Sequence, residues 1–212
     1  MKIKKFEFNP FPVNTYIVWD EDTHECIVID AGCYYPKEKE TLSEYIRDNA
    51  LTVKHLLATH LHLDHNFGNT FASHEFGIPL EADKADEFLL AGMREQAAMF
   101  GMELPDSPVS IGRYIKNKDT FTFGKHTLHA ISVPGHSPGS LVFYEPDERV
   151  AFAGDVLFRG SIGRTDLPGG SYVQLVNGIK QKLLVLPDDT IIYPGHGPKT
   201  TIGYEKENNP YF

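Results

Sequence analysis

The chain has 212 residues, and its 41% hydrophobic and 23% charged residues are typical of a globular protein. Its net charge of −9 disfavours binding to nucleic acids and to anionic membranes. No apolar run approaches the roughly 20 residues of a membrane helix, and the basic start has no apolar segment behind it, so we expect no signal peptide. With only two cysteines, we expect no disulfide framework and a cytoplasmic location.

The first half of the chain alternates between strand and helix patterns. Strands are predicted where polar and apolar residues alternate or where short apolar runs are bounded by turns, at residues 2–8, 15–19, 25–29, 53–58 and 78–81. Apolar residues at helical spacing follow Pro36, which suits a first helical turn. Two more helices are predicted, one over about 66–75 and a long one over about 84–100, which Asp83 caps and Gly101 ends.

The second half begins with a stretch rich in Gly, Pro and Ser over 101–112 and then returns to strand patterns. These strands are predicted at residues 120–123, 127–133, 141–144, 150–153 and 190–193. Ser171 and Gln174 form a capping-box pattern before a helix with one apolar face. The order of elements favours two packed sheets with helices outside, a four-layer αββα sandwich, although the pattern also fits an ordinary α/β layer fold. No long linker interrupts the chain, so we expect one domain over 1–212.

Four ligand-type side chains follow the apolar strand at 53–58 within six residues: His60, His62, Asp64 and His65. In an extended segment, residues two apart point the same way, so His60 and His62 can converge on one ion. The turn into the next helix brings Asp64 and His65 to the other side of the same pocket. This spacing indicates that one segment supplies ligands to two ions.

Three further strand ends supply the same kinds of side chain. His136 and His196 each follow a Pro-Gly pair, and Asp155 follows Gly154 after a strand, where its two carboxylate oxygens can reach both ions. Seven such residues at four strand ends therefore predict a site for two divalent cations. The alternative, a histidine-rich loop and turns with no common role, is disfavoured by this number of ligand-type residues. The other five histidines lack this pattern, and we expect surface or structural roles for them: His24, His55, His74, His126 and His129.

The seven residues resemble the metal motif of the metallo-β-lactamase superfamily. Residues 28–32, Val-Ile-Asp-Ala-Gly, resemble the aspartate motif that lies beneath the metals in that superfamily. Within it, residues 152–155, 160–166 and 200–210 resemble the glyoxalase II group, the hydroxyacylglutathione hydrolases. The resemblance implies the αββα fold and two divalent cations, with zinc expected and iron or manganese as alternatives.

The resemblance also implies a role for each candidate residue. The first metal would have three ligands: His60, His62 and His136. The second would have three others: Asp64, His65 and His196. Asp155 would bridge the two metals and, with Asp64, is a candidate for catalysis. Asp30 is expected to orient a ligand imidazole or to hold a turn, and Arg164 to bind a substrate carboxylate or to pair with Asp166 or Asp30.

Two adjacent cations lower the pKa of a water molecule and so provide hydroxide for attack on a carbonyl. A thiolate leaves without a strong general acid, and the resemblance implies a small-molecule thioester of the S-lactoylglutathione type as substrate. Long-form glyoxalase II holds glutathione with an extra helical domain, and the resemblance here ends without one, so we expect weak dependence on glutathione. No Gly-x-Ser-x-Gly motif is present, and Ser137 and Ser140 are not expected to act as nucleophiles.

Other functions on the same fold stay open at this point. A persulfide dioxygenase would use His60, His136 and Asp155 around one Fe(II). A lactonase or another hydrolase of the fold is a further alternative, whereas a nuclease is disfavoured by the net charge of −9. The number of bound metals and the consumption of oxygen distinguish the dioxygenase from the hydrolases.

Overall fold

The computed structural model describes residues 1–104 and 107–212. Within them, the first sheet has six strands in chain order: β1 (Lys2–Phe8), β2 (Val13–Trp19), β3 (Glu25–Ile29), β4 (Thr52–Leu57), β5 (Leu80–Asp83) and β6 (Ile111–Ile115). Strands β1 to β3 pair antiparallel, and β3 to β6 pair parallel.

The second sheet is built from later strands, with a short hairpin between them. The strands after β6 are β7 (Thr120–Phe123), β8 (His126–Ser132), β9 (Leu141–Glu145), β10 (Val150–Gly154), β11 (Leu157–Phe158), β12 (Ser161–Ile162), β13 (Ile191–Pro194) and β14 (Thr200–Thr201). The second sheet has the order β14-β13-β10-β9-β8-β7, and β11 pairs with β12. Only the pair of β10 and β13 in this sheet is parallel among the described strands.

Seven α-helices lie in the part of the chain that the structure describes: α1 (Pro36–Asp48), α2 (Leu63–Asn66), α3 (Asn69–Phe76), α4 (Glu87–Ala91), α5 (Met93–Met99), α6 (Tyr172–Gly178) and α7 (Ile202–Asn208). A 3-10 turn at Lys84–Asp86 precedes α4, and a π-helical turn at Ile179–Leu183 extends α6. No helix of the described residues has both the length and the hydrophobicity to span a bilayer.

The central strands bury side chains on both faces, which defines the layers. In β2, Ile17 belongs to the cluster that includes Leu42 of α1, while Val18 belongs to the cluster between the two sheets. In β10, Phe152 faces the space between the sheets, and Ala151 packs in the cluster with α6 and α7. Successive residues of a strand point to opposite faces, so each sheet has one face toward the other sheet and one toward helices. The predicted αββα sandwich is confirmed.

The helix predicted over 66–75 begins later in the structure, as α3 at Asn69, because a glycine interrupts the helical backbone after α2. Gly68 lies between the two helices and donates its N–H to the carbonyl of Ala31 in the loop after β3, at 2.8 Å. A Cβ atom at Gly68 would lie 2.3 Å from Cys33 Sγ, so this close approach requires glycine. The predicted helix is therefore confirmed from Asn69 onward, and its predicted start was wrong because the tight packing of the chain against this loop was not visible in the helical pattern.

The long helix predicted over 84–100 is also divided. Asp83 does cap it, because its carboxylate accepts a hydrogen bond from the N–H of Ala85 at 2.8 Å. The chain then makes a 3-10 turn and two short helices, with Gly92 as the last cap of α4 and the first of α5. A glycine inside a helix lowers its stability, which accounts for the break.

Several short elements were not predicted. Strand β6 lies partly in the irregular stretch predicted over 101–112; residues 105 and 106 of that stretch lie outside the described residues. Strands β11, β12 and β14 have two residues each, too few for an alternating pattern to be recognised. The cap predicted at Ser171 is confirmed, since its Oγ accepts a hydrogen bond from the N–H of Gln174 at 3.4 Å.

The carboxyl ends of β3, β4, β10 and β13 meet at one edge of the sandwich. Each sheet contributes a parallel pair there, β3 with β4 and β10 with β13. Backbone hydrogen bonds join the sheets at this edge: the N–H of Asn14 donates to the carbonyl of Gly195 at 2.7 Å, and that of Leu141 to the carbonyl of Thr59 at 2.8 Å. The loops that follow these strands are therefore fixed relative to one another.

Candidate metal centre

The segment after β4 presents its candidate ligands from two kinds of backbone. His60 and His62 lie in the irregular stretch before α2, and His62 has extended dihedral angles (φ −66°, ψ 150°). Asp64 and His65 lie in the first turn of α2, where the backbone reverses its direction. Leu61, between the two histidines, is buried and anchors the segment. The alternation of polar and apolar residues thus directs the ligand-type side chains toward one pocket.

Three imidazoles form a first group, which we call the histidine cluster: His60, His62 and His136. His136 Nε2 lies 2.8 Å from His62 Nδ1 and 3.3 Å from His60 Nε2. Nitrogen ligands bound at 2.0–2.1 Å around a tetrahedral zinc ion lie about 3.3 Å apart. The spacing of these nitrogens is therefore close to that of a zinc coordination sphere.

A second group, which we call the mixed cluster, combines one carboxylate with two imidazoles: Asp64, His65 and His196. His196 Nε2 lies 3.2 Å from Asp64 Oδ2 and 3.3 Å from His65 Nε2. Asp155 lies between the two groups. Its Oδ1 is 3.3 Å from His65 Nε2, and its Oδ2 is 3.6 Å from both His136 Nε2 and His196 Nε2. All seven predicted ligands thus lie at one site.

Hydrogen bonds outside the clusters determine where the imidazole protons are. His65 Nδ1 faces the carboxylate of Asp30 at 3.0 Å, and His136 Nδ1 faces the carbonyl oxygen of Arg164 at 2.8 Å. Both acceptors lack a hydrogen, so each Nδ1 carries the proton. His60 Nδ1 lies 3.1 Å from Thr59 Oγ1, and that hydroxyl already donates to Asp30 at 2.7 Å, so His60 donates to it. In the neutral rings, all three Nε2 atoms therefore have a free lone pair.

The titration of the ionisable groups differs between the two clusters. Burial is the largest effect that lowers the pKa of His62, to about 4, and it also lowers the pKa of His60 well below its usual value. Burial acts in the same direction on His65, but the carboxylates of Asp155 and Asp64 outweigh it and raise the pKa of His65. The facing imidazoles, led by that of His65, outweigh the effect of burial on Asp155 and lower its pKa. His60 and His62 are thus neutral ligands, while the carboxylates of the mixed cluster and Asp155 attract positive charge.

This donor set fits divalent cations. In the histidine cluster, the lone pairs of His60 Nε2 and His136 Nε2 face each other at 3.3 Å. His62 Nδ1, 2.8 Å from His136 Nε2, is the nitrogen of the cluster that can donate a proton to that lone pair. In the mixed cluster, the carboxylates of Asp155 and Asp64 lie 3.3 and 3.7 Å from His65 Nε2, an arrangement that a cation between them would stabilise. Imidazole nitrogens and carboxylate oxygens are ligands suited to zinc, iron and manganese alike. The clusters could therefore hold metal ions, and the donor types do not select one metal.

A cavity of about 350 Å³ opens onto the clusters. One side of it presents His62, Asp64, His136, Asp155 and His196. The other side is largely apolar, with the aromatic rings of Phe11 and Phe100 in edge-to-face contact at 5.2 Å between centroids. Arg164 lies at the rim and supplies positive charge. A substrate in this cavity would have its reactive group beside the clusters and its remainder against the aromatic wall.

Three further residues near the clusters are Asp30, Arg164 and Cys33. Asp30 contacts His65 and Thr59, so it orients an imidazole as expected, and it also has a positive φ of 52°. Arg164 pairs with Asp166 through two hydrogen bonds of 2.8 and 2.7 Å, one of the two pairings expected for it. Cys33 is buried, and burial raises the pKa of its thiol to about 12, which makes it a poor metal ligand.

Sequence reasoning missed two residues that hold the site. Thr59 connects Asp30 to His60, and its position directly before the histidine motif does not by itself indicate such a role. Asn9 donates its side-chain N–H groups to the carbonyls of Gly32 and Asp64, at 2.8 and 2.9 Å. The Asn-Pro pair at residue 9 indicated only a turn, since asparagine is common in turns for local reasons. The partners of Asn9 lie 23 and 55 residues away, so the sequence around Asn9 does not indicate these contacts.

The five isolated histidines lie outside both clusters. His24 is exposed and contacts the carbonyl of Asn49, and His55 pairs with Glu81 at 2.6 Å. His126 is buried beside Asp20, with 3.4 Å between its Nε2 and Oδ2 of the aspartate. Their separation from the candidate ligands agrees with the division made from the sequence.

The chain matches the model of the metallo-beta-lactamase superfamily over residues 8–196, a range that contains all seven candidate ligands. It is 40% identical over 217 residues to a hydroxyacylglutathione hydrolase, GloC, of Haemophilus influenzae; the match covers 100% of this chain and 98% of that protein. The chain belongs to the metallo-beta-lactamase superfamily, as the histidine motif predicted.

Two solved structures share the whole architecture. One is the B3 metallo-beta-lactamase BLEG-1, with a TM-score of 0.88 and 33% identity over 99% of each chain. The other is the protein TTHA1623 in a di-iron-bound form, with a TM-score of 0.87 and 33% identity over 99% of this chain and 100% of that one. This chain is a metallo-hydrolase of the superfamily by fold and sequence.

Replacement of Asp155 tests the position of this carboxylate between the clusters. We expect Asp155→Ala to fold but to lose both metal binding and turnover. The loss should exceed the roughly 10- to 100-fold that removal of an outer hydrogen-bond partner costs, because a group facing both clusters is removed. Metal content by mass spectrometry and circular dichroism measure the two effects. Asp166→Ala, which removes an exposed carboxylate, is the matched control and should keep its metals. Two metals and near wild-type turnover in Asp155→Ala would contradict this prediction.

Proposed function

We propose that the protein is a dinuclear metallohydrolase that cleaves small-molecule thioesters of the S-lactoylglutathione type. The observation that carries this proposal is the position of Asp155, whose two oxygens face the histidine cluster and the mixed cluster at 3.3 to 3.6 Å. A shared carboxylate between two ligand groups suits a pair of cations. The 40% identity to a named hydroxyacylglutathione hydrolase supports the choice of a thioester.

Each group of residues has a separate task in this proposal. The histidine cluster binds the first ion, the mixed cluster binds the second, and Asp155 contacts both. Two cations, when bound, supply hydroxide at neutral pH and stabilise negative charge on a carbonyl oxygen. Asp30 keeps the proton of His65 on Nδ1, which leaves Nε2 free for an ion. We assign Asp64 and Asp155 as the catalytic carboxylates, since both line the cavity beside the clusters.

The surroundings favour direct hydrolysis over an acyl-enzyme. Ser137 and Ser140 are buried and hydrogen-bonded to each other at 2.8 Å, so neither hydroxyl points into the cavity as an activated nucleophile. A thiolate is a weak base and leaves without a general acid. Both cysteines are free, buried thiols, which supports the proposal of a reducing, cytoplasmic environment.

A persulfide dioxygenase with one Fe(II) is the second candidate. His60, His136 and Asp155 meet with His136 Nε2 only 3.3 Å from His60 Nε2 and 3.6 Å from Asp155 Oδ2. Two imidazoles and one carboxylate on one side of a metal are the ligand set of many non-haem iron oxygenases. These three ligands also belong to the set of seven candidate ligands, so their presence supports either reaction.

The decisive experiment compares the two reactions on protein supplied with zinc or with iron. We expect two metals per chain, turnover of S-lactoylglutathione, and no oxygen consumption with glutathione persulfide. Loss of the mixed cluster in His196→Ala should abolish hydrolysis, because the second ion is then lost. One iron per chain, oxygen uptake that survives in His196→Ala, and no thioester turnover would replace the hydrolase with the dioxygenase. Cleavage of lactones in preference to thioesters would identify a lactonase.

The lining of the cavity also predicts weak binding of the thiol half of the substrate. Glutathione carries two carboxylates and an ammonium group, and the positive charge at the rim comes from Arg164, which is already paired with Asp166. We expect the KM for S-lactoylglutathione to lie near or above ~1 mM, the upper end of the usual range. Removal of the γ-glutamyl group should change kcat/KM by less than about threefold, because little uniform binding energy is lost. Steady-state kinetics on the two thioesters provide the measurement, and a tight KM that rises sharply with the truncated thiol would refute it.

A further inference from the structure

A buried carboxylate outside both clusters connects the two loops that carry the histidine cluster. Asp86 ends the 3-10 turn before α4, and only 1% of it is exposed. It accepts three hydrogen bonds: from the N–H of Leu61 at 3.1 Å, from Ser137 Oγ at 2.7 Å and from the N–H of Gly139 at 2.6 Å. An ionised carboxylate can accept all three because it has about four lone-pair directions and no hydrogen.

The three donors lie close in sequence to the residues of the histidine cluster: Leu61 is next to His60 and His62, and Ser137 and Gly139 follow His136. Leu61 lies between His60 and His62, so its N–H fixes the backbone that holds both imidazoles. Ser137 follows His136 directly, and its N–H donates to Ser140 Oγ at 3.0 Å. One carboxylate thus sets the distance between the loop after β4 and the loop after β8.

The fit around this carboxylate is tight. A Cβ atom at residue 139 would lie 2.7 Å from Asp86 Cγ, so the approach of the loop requires Gly139. Ser137 and Ser140, whose hydroxyls are 2.8 Å apart, are buried with it. Because a lost partner leaves buried donors unsatisfied, a change at Asp86 disturbs both loops.

The mixed cluster depends on a different carboxylate. Asp30 contacts Thr59 and His65, whereas Asp86 makes no hydrogen bond to Asp64, His65 or His196 in the part of the chain that the structure describes. Asp30 therefore supports His65 directly and His60 through Thr59, whereas the contacts of Asp86 go to the loops that carry the histidine cluster.

We propose that Asp86 is a positioning residue for the ion of the histidine cluster and leaves the ion of the mixed cluster largely unaffected. This inference rests on the proposed dinuclear site. Nothing in the local sequence indicates this role, since Asp86 lies 25 residues from Leu61 and 51 from Ser137. A displacement of either loop would change the 2.8 to 3.3 Å spacing among the three imidazoles.

The test isolates each cluster before Asp86 is changed. His196→Ala removes a ligand of the mixed cluster, and His62→Ala removes one of the histidine cluster. Zinc is titrated into the metal-free form of each full-length variant against a chromophoric chelator. We expect Asp86→Ala to weaken zinc binding by about 10- to 100-fold in the His196→Ala background. In the His62→Ala background, we expect a change of less than about threefold, because no outer contact of the mixed cluster is lost.

Two further variants control for folding. Asp83→Ala removes a cap from the same 3-10 turn without touching either loop, and it should bind zinc as the parent does. Asp86→Asn keeps the shape but turns an N–H group toward the buried donors, and it should lie between the parent and Asp86→Ala. Circular dichroism checks the fold, and if Asp86→Ala fails to fold, the asparagine variant carries the comparison.

The outcomes separate this inference from the proposed function. Equal losses in both backgrounds, or no loss in either, with zinc still bound by the parents would overturn the role of Asp86 alone. Absence of zinc binding in the otherwise unchanged protein would overturn the dinuclear site itself. A Co²⁺ absorption spectrum that shifts in Asp86→Ala only when the histidine cluster is intact would support the positioning role independently of turnover.

Discussion

The organisation of this protein depends on a concentration of lone pairs and negative charge at one edge of two packed sheets. The rings of His60, His65 and His136 donate their Nδ1 protons to acceptors outside the site, so their Nε2 atoms face inward without hydrogens when neutral. Such an arrangement is repulsive unless cations or protons are present. The surrounding fold has to hold these groups against that repulsion, and the hydrogen bonds accepted by the buried carboxylates of Asp30 and Asp86 fix the residues and loops concerned.

The architecture converts four strand ends into one rigid frame. Parallel pairing within each sheet brings the carboxyl ends of neighbouring strands to the same edge, and backbone hydrogen bonds between the sheets fix their separation there. Residues on such loops can therefore be held next to one another although they are up to 136 positions apart, from His60 to His196. Precise placement of this kind is what a metal site requires.

Much of this could be predicted from sequence, because strand periodicity and the His-x-His-x-Asp-His motif are local patterns. The order of strands and helices favoured the sandwich without excluding an ordinary α/β layer fold, and the resemblance of the metal motif implied the sandwich itself. The break at Gly92 has a local cause, the low helix propensity of glycine. The interruption at Gly68 and the contacts of Asn9 and Asp86 could not be predicted in the same way. They depend on contacts between segments far apart in the chain, and a single sequence contains no periodicity that reports such contacts.

Membership of the superfamily does not determine the substrate. A hydroxyacylglutathione hydrolase and a B3 metallo-beta-lactamase both match this chain over nearly its full length. One fold hosts many reactions, so the substrate depends on the groups around the clusters. In this protein, those groups are the aromatic pair of Phe11 and Phe100 and the guanidinium of Arg164. They offer an apolar surface and one positive charge beside the clusters.

The most direct test of this account is a crystal structure of the metal-loaded protein with anomalous scattering at the metal absorption edge. Two peaks are expected, about 3.5–4 Å apart as in other two-metal sites. One should lie among His60, His62 and His136, and the other among Asp64, His65 and His196, with Asp155 beside both. A single peak bound only by His60, His136 and Asp155, or no peak in the histidine cluster, would contradict the dinuclear site on which the proposed hydrolysis depends.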